Sequence, residues 1–219
     1  MLVALSAEWK PMDEISVVTP RARAGRQLST THAELSHIAL MLFVERGFDD
    51  TTVDDIAVAA GIGRRTFFRY FASKNDLPWG EFDELLGRMR DYLHALPADV
   101  PLVEALKTAV IEFNRFPPEE IPFHRERMRL ILTVPTLVAH STLRYAAWRQ
   151  VISDFVAERL GIGADRLEPQ AMAWALLGVS ISAYEQWLEH EDADLGELLE
   201  SAYAMLSTSF AAGRRSPRA

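Results

Sequence analysis

The 219-residue sequence contains no cysteine, which excludes a disulfide framework and a thiolate-bound metal site. This absence fits a reducing cytoplasm, where we expect the protein to act. The longest charge-free apolar stretch, residues 169–184, is shorter than the roughly 20 residues that a membrane-spanning helix needs. The N-terminus has no basic segment before its short apolar run, so we predict neither a signal peptide nor a membrane partner.

Signals for β-strands are also nearly absent. Few runs alternate between polar and apolar residues, and no Asn-Gly or Asp-Gly hairpin turn occurs. Apolar residues recur instead at steps of three and four, the spacing of an amphipathic helix. We therefore predict an all-α fold, with helices at residues 30–46, 52–61, 64–71, 78–96, 101–116, 122–133, 136–160, 167–190 and 194–212.

Catalytic sequence patterns are missing as well. GxSxG is absent, and the six histidines show no HExxH spacing. The segment GIGRRT lacks the last glycine of a dinucleotide-binding loop, and it follows a helix rather than a strand. Glu185 and Glu189 lie four residues apart, but a solvated helix face explains them better than a catalytic carboxylate pair. We expect no catalytic residue, no bound metal and no cofactor.

Charge is distributed unevenly along this acidic chain. The formal net charge is −8, yet residues 20–80 carry +1 while residues 81–219 carry −7. The run GIGRRTFFRYFASKNDL (61–77) places three arginines and a lysine among four aromatic side chains. A local basic surface on an acidic protein indicates one face that binds an anion such as DNA. A solvated basic face is the alternative explanation.

The same run fits a helix-turn-helix. Two short helices can cross tightly if Gly61 stands in the turn and if Ala57 and Ala60 leave room between the helices. Phe67 and Phe71, four residues apart, should face the core. The opposite side of this helix then carries the arginines, and an arginine in the major groove can bind a guanine edge through two hydrogen bonds. We predict that this helix reads DNA.

The segment RGFDDTTVDDIAVAAGIGRRTFFRYFASKNDL (46–77) resembles the DNA-binding domain of the TetR family of transcriptional regulators. The family pattern is an apolar helix ending in G-[FY], then T-[TS]-[VI]-x-x-I-A-x-x-A-G-V-[ST]-x-x-T-[LF]-Y-x-[HY]-F-x-[ST]-K-x-x-L, and nearly every fixed position matches. GRRTFFRYFASKNDLPWGEFD is also similar to the subgroup associated with mycofactocin systems. The resemblance implies a three-helix helix-turn-helix domain followed by a larger helical domain for ligand binding and dimerisation.

These observations divide the chain into four predicted segments. Residues 1–28 should form a mobile tail and residues 29–76 the DNA-binding domain. Residues 77–213 should form the effector-binding and dimerisation domain, and residues 214–219 a C-terminal tail.

The family's DNA contacts carry over by position to Thr52, Arg64, Arg65, Thr66, Tyr70 and Lys74. We add Arg69 for its charge. Phe68 stands where tyrosine is usual, so it cannot donate to a phosphate and is assigned to packing against a sugar or a thymine methyl group. Gly63 replaces the usual serine or threonine cap of the recognition helix, which predicts a looser turn.

The second domain is rich in aromatic residues, and helical domains of this kind can hold an apolar pocket. Arg125 and Arg129 could bind a phosphate or carboxylate at its mouth, although pairing with Glu120 or Glu126 is the simpler explanation. A fatty acyl-CoA would suit aromatics and arginines together. The predicted effector contacts, most of which could equally be core, are Phe113, Phe116, Phe123, Arg125, Met128, Arg129, Leu132, Trp148, Phe155 and Trp174.

Small residues recur at helical spacing between positions 171 and 182 and would let another helix approach closely. The resemblance implies that the last two helices form a four-helix bundle across a two-fold axis, and packing within one chain is the alternative. The predicted homodimer interface comprises Ala171, Ala175, Gly178, Ser182, Leu199, Ala202 and Leu206.

The sequence thus predicts a ligand-responsive repressor that binds a palindromic double-stranded DNA operator and is released by a small hydrophobic effector. A bend at Pro78 and Gly80 could transmit the effector signal, unless Pro78 merely begins a helix. Two alternatives remain: an all-α carrier or enzyme acting on hydrophobic small molecules, and an architectural DNA binder that needs no ligand.

Overall fold

The computed structural model describes residues 31–212, with side chains for residues 31–206. Every regular element in this part of the chain is helical, which confirms the all-α prediction. The predicted tails at 1–28 and 214–219 lie outside the described residues. The elements are α1 (His32–Arg46), α2 (Val53–Ala59), α3 (Arg64–Tyr70), the 3₁₀ helix η1 (Lys74–Trp79), α4 (Phe82–Ala95), α5 (Leu102–Phe113), α6 (Ile121–Thr133), α7 (Pro135–Leu160), α8 (Leu167–Glu189) and α9 (Leu195–Ala212).

Capping residues and prolines determine where several helices begin. Thr31 accepts a hydrogen bond from the backbone N–H of Glu34 at 3.1 Å, and the Glu34 carboxylate accepts one from the N–H of Thr31 at 2.9 Å. This reciprocal pair begins α1. Pro101 is the N-cap residue of α5, and Pro122 and Pro135 stand in the first turns of α6 and α7, where a missing backbone donor does no harm.

The predicted helix start at residue 78 is wrong. Pro78 lies inside η1, which begins with reciprocal hydrogen bonds between Ser73 and Asp76. Gly80 then adopts φ 51° and ψ −128°, a conformation that an α-helix cannot contain and that favours glycine. For this reason α4 begins at Phe82, four residues later than the sequence pattern indicated.

The helices pack into two compact units. The N-terminal unit comprises residues 31–82 and 116–141, and the C-terminal unit comprises residues 83–115 and 142–212. The predicted domains assigned α6 to the C-terminal part of the chain. In the structure α6 packs against α1 and η1 and so belongs to the N-terminal unit.

The core of the N-terminal unit joins α1, α2 and α3. Leu35 and Phe43 of α1 pack with Ile56 of α2 and Phe67 of α3, and Leu137 from the first turn of α7 completes the cluster. All five side chains are at most 2% exposed. This core fixes the rotation of α3 about its own axis, because Phe67 can be buried in only one orientation.

Three polar contacts hold η1 in the N-terminal unit. The buried Ser36 hydroxyl donates to the carbonyl of Leu77 at 2.6 Å. Nε2 of His140, on α7, lies 3.0 Å from a carboxylate oxygen of Asp76. Lys74 donates from Nζ to two carbonyls of the loop before α2, at 2.7 and 2.9 Å. These contacts tie η1 to α1, to α7 and to the loop that precedes α2.

The C-terminal unit is organised around the long contact between α8 and α9, with α5 packed against α9. Leu106 and Leu199 are at most 1% exposed in its core. The Tyr203 hydroxyl lies 2.7 Å from Oγ of Ser180 and 3.1 Å from the carbonyl oxygen of Leu176. Burial raises the pKa of Tyr203, so its hydroxyl stays protonated and holds α9 to α8.

None of the helices within residues 31–212 has the length and apolar character needed to cross a membrane.

His124 is a buried histidine on α6. Its ring stacks on Phe116, with the ring centroids 3.8 Å apart. Burial lowers the pKa of His124 well below its usual value, and the nearby positive charge of Arg127 lowers it further. The imidazole is therefore neutral in the folded protein at neutral pH.

We expect the free energy of unfolding to fall as the pH drops below about 6.5, because the unfolded chain then protonates His124 while the folded protein does not. The slope from this group is at most about 1.4 kcal/mol per pH unit, until the pH reaches the folded-state pKa. The variant His124→Phe keeps a ring against Phe116 but cannot titrate. Urea denaturation on either side of pH 6 should show a smaller decrease for the variant. Equal decreases would contradict a neutral, buried imidazole.

Candidate nucleic-acid interface and ligand cavity

The turn between α2 and α3 depends on Gly61. Its φ of 65° is left-handed, and its N–H donates to the carbonyl of Val58 at 3.0 Å. The next N–H, that of Ile62, reaches back to Ala57 at 2.9 Å. This pair of bonds is the Schellman motif, which ends a helix and redirects the chain within two residues. The predicted glycine turn of a helix-turn-helix is confirmed.

The two sides of α3 have opposite character. Phe67 and, just after the helix, Phe71 are buried in the core of the N-terminal unit. The other side is open to solvent, as the spacing of the aromatics predicts. The structure places Arg64, Arg65, Phe68 and Arg69 exposed on it, with Thr66 and Tyr70 half-buried.

Arg64 has an acidic partner that the sequence analysis missed. Its guanidinium lies 2.8 Å from a carboxylate oxygen of Asp54, on α2, and 5.6 Å from the centre of the Phe68 ring. Asp54 precedes Arg64 by ten positions, and only the turn at Gly61 brings them together. Both side chains are more than half exposed, so the pair is weak and DNA phosphates can compete for Arg64.

Arg65 and Arg69 differ from Arg64 in their surroundings. Arg65 makes no ion pair or hydrogen bond with any other residue in the part of the chain that the structure describes. The guanidinium of Arg69 lies 5.3 Å from the centre of the Tyr70 ring, a cation–π contact that orients both side chains. Arg65 is therefore the cation of α3 that is least constrained before DNA binding.

Thr52 is the N-cap of α2. Its hydroxyl oxygen accepts from the N–H of Asp55 at 3.1 Å, and the Asp55 carboxylate accepts from the N–H of Thr52 at 2.8 Å. Hydrogen bonds from Thr52 lower the pKa of Asp55. Thr52 is exposed, so the capped end of α2 is accessible to a DNA phosphate.

Lys74 has a structural role that the sequence did not reveal. Besides its two hydrogen bonds to the carbonyls of Phe48 and Thr51, its ammonium group lies 4.3 Å from the centre of the Phe48 ring. An ammonium has three N–H donors, so one remains for a phosphate. Ser73 and Asp76 cap this end of η1.

Gly63 stands where serine or threonine is usual, and the start of α3 therefore has no side-chain cap, as predicted. Its φ of −81° is available to any residue, and a Cβ added at this position would meet no atom within 4 Å. The glycine is therefore not required by space or by backbone conformation. Because glycine has no side chain, it supplies no acceptor for the first backbone N–H groups of α3.

The predicted effector contacts are divided between the two units. Phe113, Trp148 and Phe155 are buried in the C-terminal unit, where Trp174 is instead 58% exposed, with the Arg149 guanidinium 3.6 Å from its ring centre. The other predicted contacts, Phe116, Phe123, Arg125, Met128, Arg129 and Leu132, all lie in the N-terminal unit. Neither unit alone brings the whole set together.

The predicted anion-binding arginines on α6 have local partners to consider. Nε of Arg129 lies 3.7 Å from a carboxylate oxygen of Glu126, the pairing that the sequence offered as the simpler explanation. The exposed ion pair between Arg129 and Glu126 is weak, so Arg129 can still exchange its partner.

Phe123, another predicted contact, packs edge-on against His37, with ring centroids 4.7 Å apart.

A large cavity lies within the C-terminal unit, between α5, α8 and α9. Its volume is about 990 Å³, at the upper end of the range for small-molecule sites. The sequence analysis searched for aromatic residues, whereas the walls here are mainly aliphatic. The lining residues are Pro101, Val103, Glu104, Leu106, Lys107, Glu168, Ala171, Met172, Ala175, Leu176, Glu200, Tyr203, Ala204 and Leu206.

The predicted dimer residues show a mixture of environments. Gly178 and Ser182 are exposed, and a Cβ added at Gly178 would meet nothing within 4 Å. Ala171, Ala175 and Leu206 line the cavity, and Ala202 is half-buried. Leu199 is completely buried in its own chain, so it cannot contact a second copy directly and can only support residues that do.

Across the residues that the structure describes, no group of three histidine or acidic side chains could hold a metal ion.

Known proteins resemble both parts of the chain. Residues 37–77 match the family described as "Bacterial regulatory proteins, tetR family", and residues 100–211 match the "MftR C-terminal domain". The chain is 47% identical over 182 residues to MftR of Mycobacterium tuberculosis H37Rv, a protein named for transcriptional regulation of mycofactocin biosynthesis. That alignment covers 83% of this chain and 92% of MftR.

Two further matches extend over most of the chain. It is 27% identical over 226 residues to the transcriptional regulator TcmR of Streptomyces glaucescens, covering 95% of this chain and 100% of TcmR. The structure of Thermus thermophilus FadR, a TetR-family repressor in complex with lauroyl-CoA, has the same fold with a TM-score of 0.54 at 21% identity, covering 86% of this chain and 97% of FadR. Because a family match spans about half of the sequence and MftR is 47% identical to it, the chain belongs to the TetR family of transcriptional regulators.

Proposed function

We propose that the protein is a cytoplasmic, homodimeric repressor that binds a palindromic operator and leaves it when a small hydrophobic effector binds. The observation that supports this best is α3, a helix whose aromatic side is fixed in a core while its arginine side is open. The family consists of regulators and not enzymes, so the enzyme alternative is dropped.

DNA reading is assigned to the exposed side of α3. Arg65 has no competing partner among the described residues, and an arginine in the major groove can bind the O6 and N7 atoms of guanine together. Arg64 exchanges Asp54 for a phosphate, and Phe68, 46% exposed, packs against a sugar or a thymine methyl group. Thr52, Thr66, Arg69, Tyr70 and the remaining donor of Lys74 position the helix through the DNA backbone.

Dimerisation is needed because a single short helix reads too few base pairs to specify a site. Two copies of α3 related by a two-fold axis must lie about one DNA turn apart, roughly 34–36 Å, or a multiple of it. Gly178 and Ser182 are exposed, and a Cβ added at Gly178 would meet no atom of the described residues within 4 Å, which leaves this side of α8 open to a second copy.

The effector is proposed to be a fatty acyl-CoA. The FadR structure of this fold holds lauroyl-CoA. Within the N-terminal unit, the predicted contacts Arg125 and Arg129 suit an anionic head, and Phe116, Phe123, Met128 and Leu132 suit an apolar tail. A carrier that does not bind DNA and an architectural binder that ignores ligand make different predictions, because only a regulator couples the two binding events.

Replacing Arg65 with alanine should weaken binding to an operator in the DNA upstream of the protein's own gene by about 1–3 kcal/mol. It should also relax the base preference at one position of each half-site. Fluorescence anisotropy with operator and scrambled DNA measures both effects. The control is Arg90→Ala, which removes one positive charge from an exposed position on α4 and should leave the preference for operator over scrambled DNA intact. Equal losses by Arg65→Ala on both DNAs would reassign Arg65 to phosphate contact.

Acyl-CoAs of increasing length should release the operator at decreasing concentrations, because each buried methylene contributes about 0.8 kcal/mol. The series acetyl-, octanoyl-, lauroyl- and palmitoyl-CoA, with coenzyme A alone as the control, tests this in the same anisotropy assay. If the concentration for half release does not depend on chain length, the acyl-CoA assignment fails. If operator binding ignores every compound, the architectural alternative gains support.

The Gly178→Leu variant should fold as a monomer and lose specific operator binding while keeping every residue of α3. A Cβ at this position meets no atom of the described residues within 4 Å, whereas a leucine side chain would clash twice across a two-fold interface, and overpacking costs about 1–3 kcal/mol at each contact. Sedimentation velocity reads the oligomeric state, circular dichroism reads folding, and Gly178→Ala serves as the milder control. A dimeric variant with normal operator binding would place the interface elsewhere.

A further inference from the structure

The cavity between α5, α8 and α9 has mainly apolar walls, and its charged lining residues include more acids than bases. Leu106, Met172 and Leu176 are among its apolar lining residues. The walls also include Tyr203, whose hydroxyl is held by its bonds to α8. None of the effector contacts predicted from sequence lines this cavity. Its occupant must therefore be inferred from the cavity itself.

The charges around the cavity are predominantly negative. Nζ of Lys107 lies 2.8 Å from a carboxylate oxygen of Glu104, so these two lining residues neutralise each other. The other two charged lining residues are Glu168 on α8 and Glu200 on α9, both exposed. Neither makes an ion pair or hydrogen bond with the residues for which side chains are described. Among those residues, no cation compensates the two carboxylates, which come from different helices.

We propose that this cavity binds a hydrophobic monocation, with the apolar body between the three helices and the positive charge beside Glu168 and Glu200. Apolar burial supplies most of the affinity, and the carboxylates supply the preference for positive charge. The same carboxylates repel the phosphates of an acyl-CoA, so this site is separate from the acyl-CoA effector proposed above. The volume of about 990 Å³ accommodates a polycyclic or long-chain amine.

Two ions of nearly the same shape and opposite charge test this assignment. Tetraphenylphosphonium and tetraphenylborate should be titrated into the full-length protein without DNA, by isothermal calorimetry. We expect tetraphenylphosphonium to bind with a dissociation constant about tenfold lower than that of tetraphenylborate, since two exposed carboxylates each contribute a modest attraction. Its affinity should also fall as the salt concentration rises.

The double variant Glu168→Gln with Glu200→Gln should weaken tetraphenylphosphonium binding by about tenfold and leave tetraphenylborate binding equal or stronger. The matched control is Glu189→Gln with Glu197→Gln, which makes the same charge change on the same two helices at exposed positions that do not line the cavity. This control should bind tetraphenylphosphonium like the wild type. If the double variant does not fold, the two single variants and the salt dependence replace it.

Three outcomes would overturn the proposal: equal binding of the two ions, equal effects of the two double variants, or binding of tetraphenylphosphonium only with dissociation of the dimer. The last would mean that a second copy of the chain covers the cavity. Because no DNA is present in these titrations, their failure is distinct from a failure of operator release by acyl-CoA.

Discussion

Burial of Phe67 determines which way α3 faces, and the DNA-binding surface depends on that orientation. The ring is completely buried among side chains from α1 and α2, so rotating the helix would expose Phe67 and remove its packing contacts. The Schellman turn at Gly61 sets where the helix begins, and the core sets how it is turned. The arginines need no scaffold of their own, because they occupy the side of a seven-residue helix that the core leaves free.

The same core extends further along the chain than a three-helix domain would suggest. Leu137, at the start of α7, is buried with Phe67, and α6 packs beside α1. The Ser36, His140 and Lys74 contacts then hold η1 from three sides. Helices that are distant in sequence therefore contribute to the stability of the unit that carries α3.

Local signals predicted much of this structure. The predicted helix starts at 30 and 52 lie within two residues of the observed starts of α1 and α2, because the caps at Thr31 and Thr52 act over a few residues. The start of α4 was missed, because the conformation of Gly80 is decided by its surroundings and the apolar pattern continued past it. The Arg64–Asp54 pair and the hydrogen bonds of Lys74 were also missed, since both depend on a turn that brings separate elements together. The cavity was not predicted because aliphatic lining residues cannot be told from core residues in a sequence.

The pair between Arg64 and Asp54 has a consequence for how the protein moves along a genome. In the phosphate contact proposed for Arg64, the Asp54 carboxylate competes with the DNA for the guanidinium. Such a tethered competitor lowers affinity for every sequence by a similar factor and shortens the residence time on each incorrect site. A searching protein gains from such brief encounters, since time spent bound to the wrong DNA delays arrival at the operator. Under that proposal, a single acidic side chain on α2 sets a balance between holding the target and finding it.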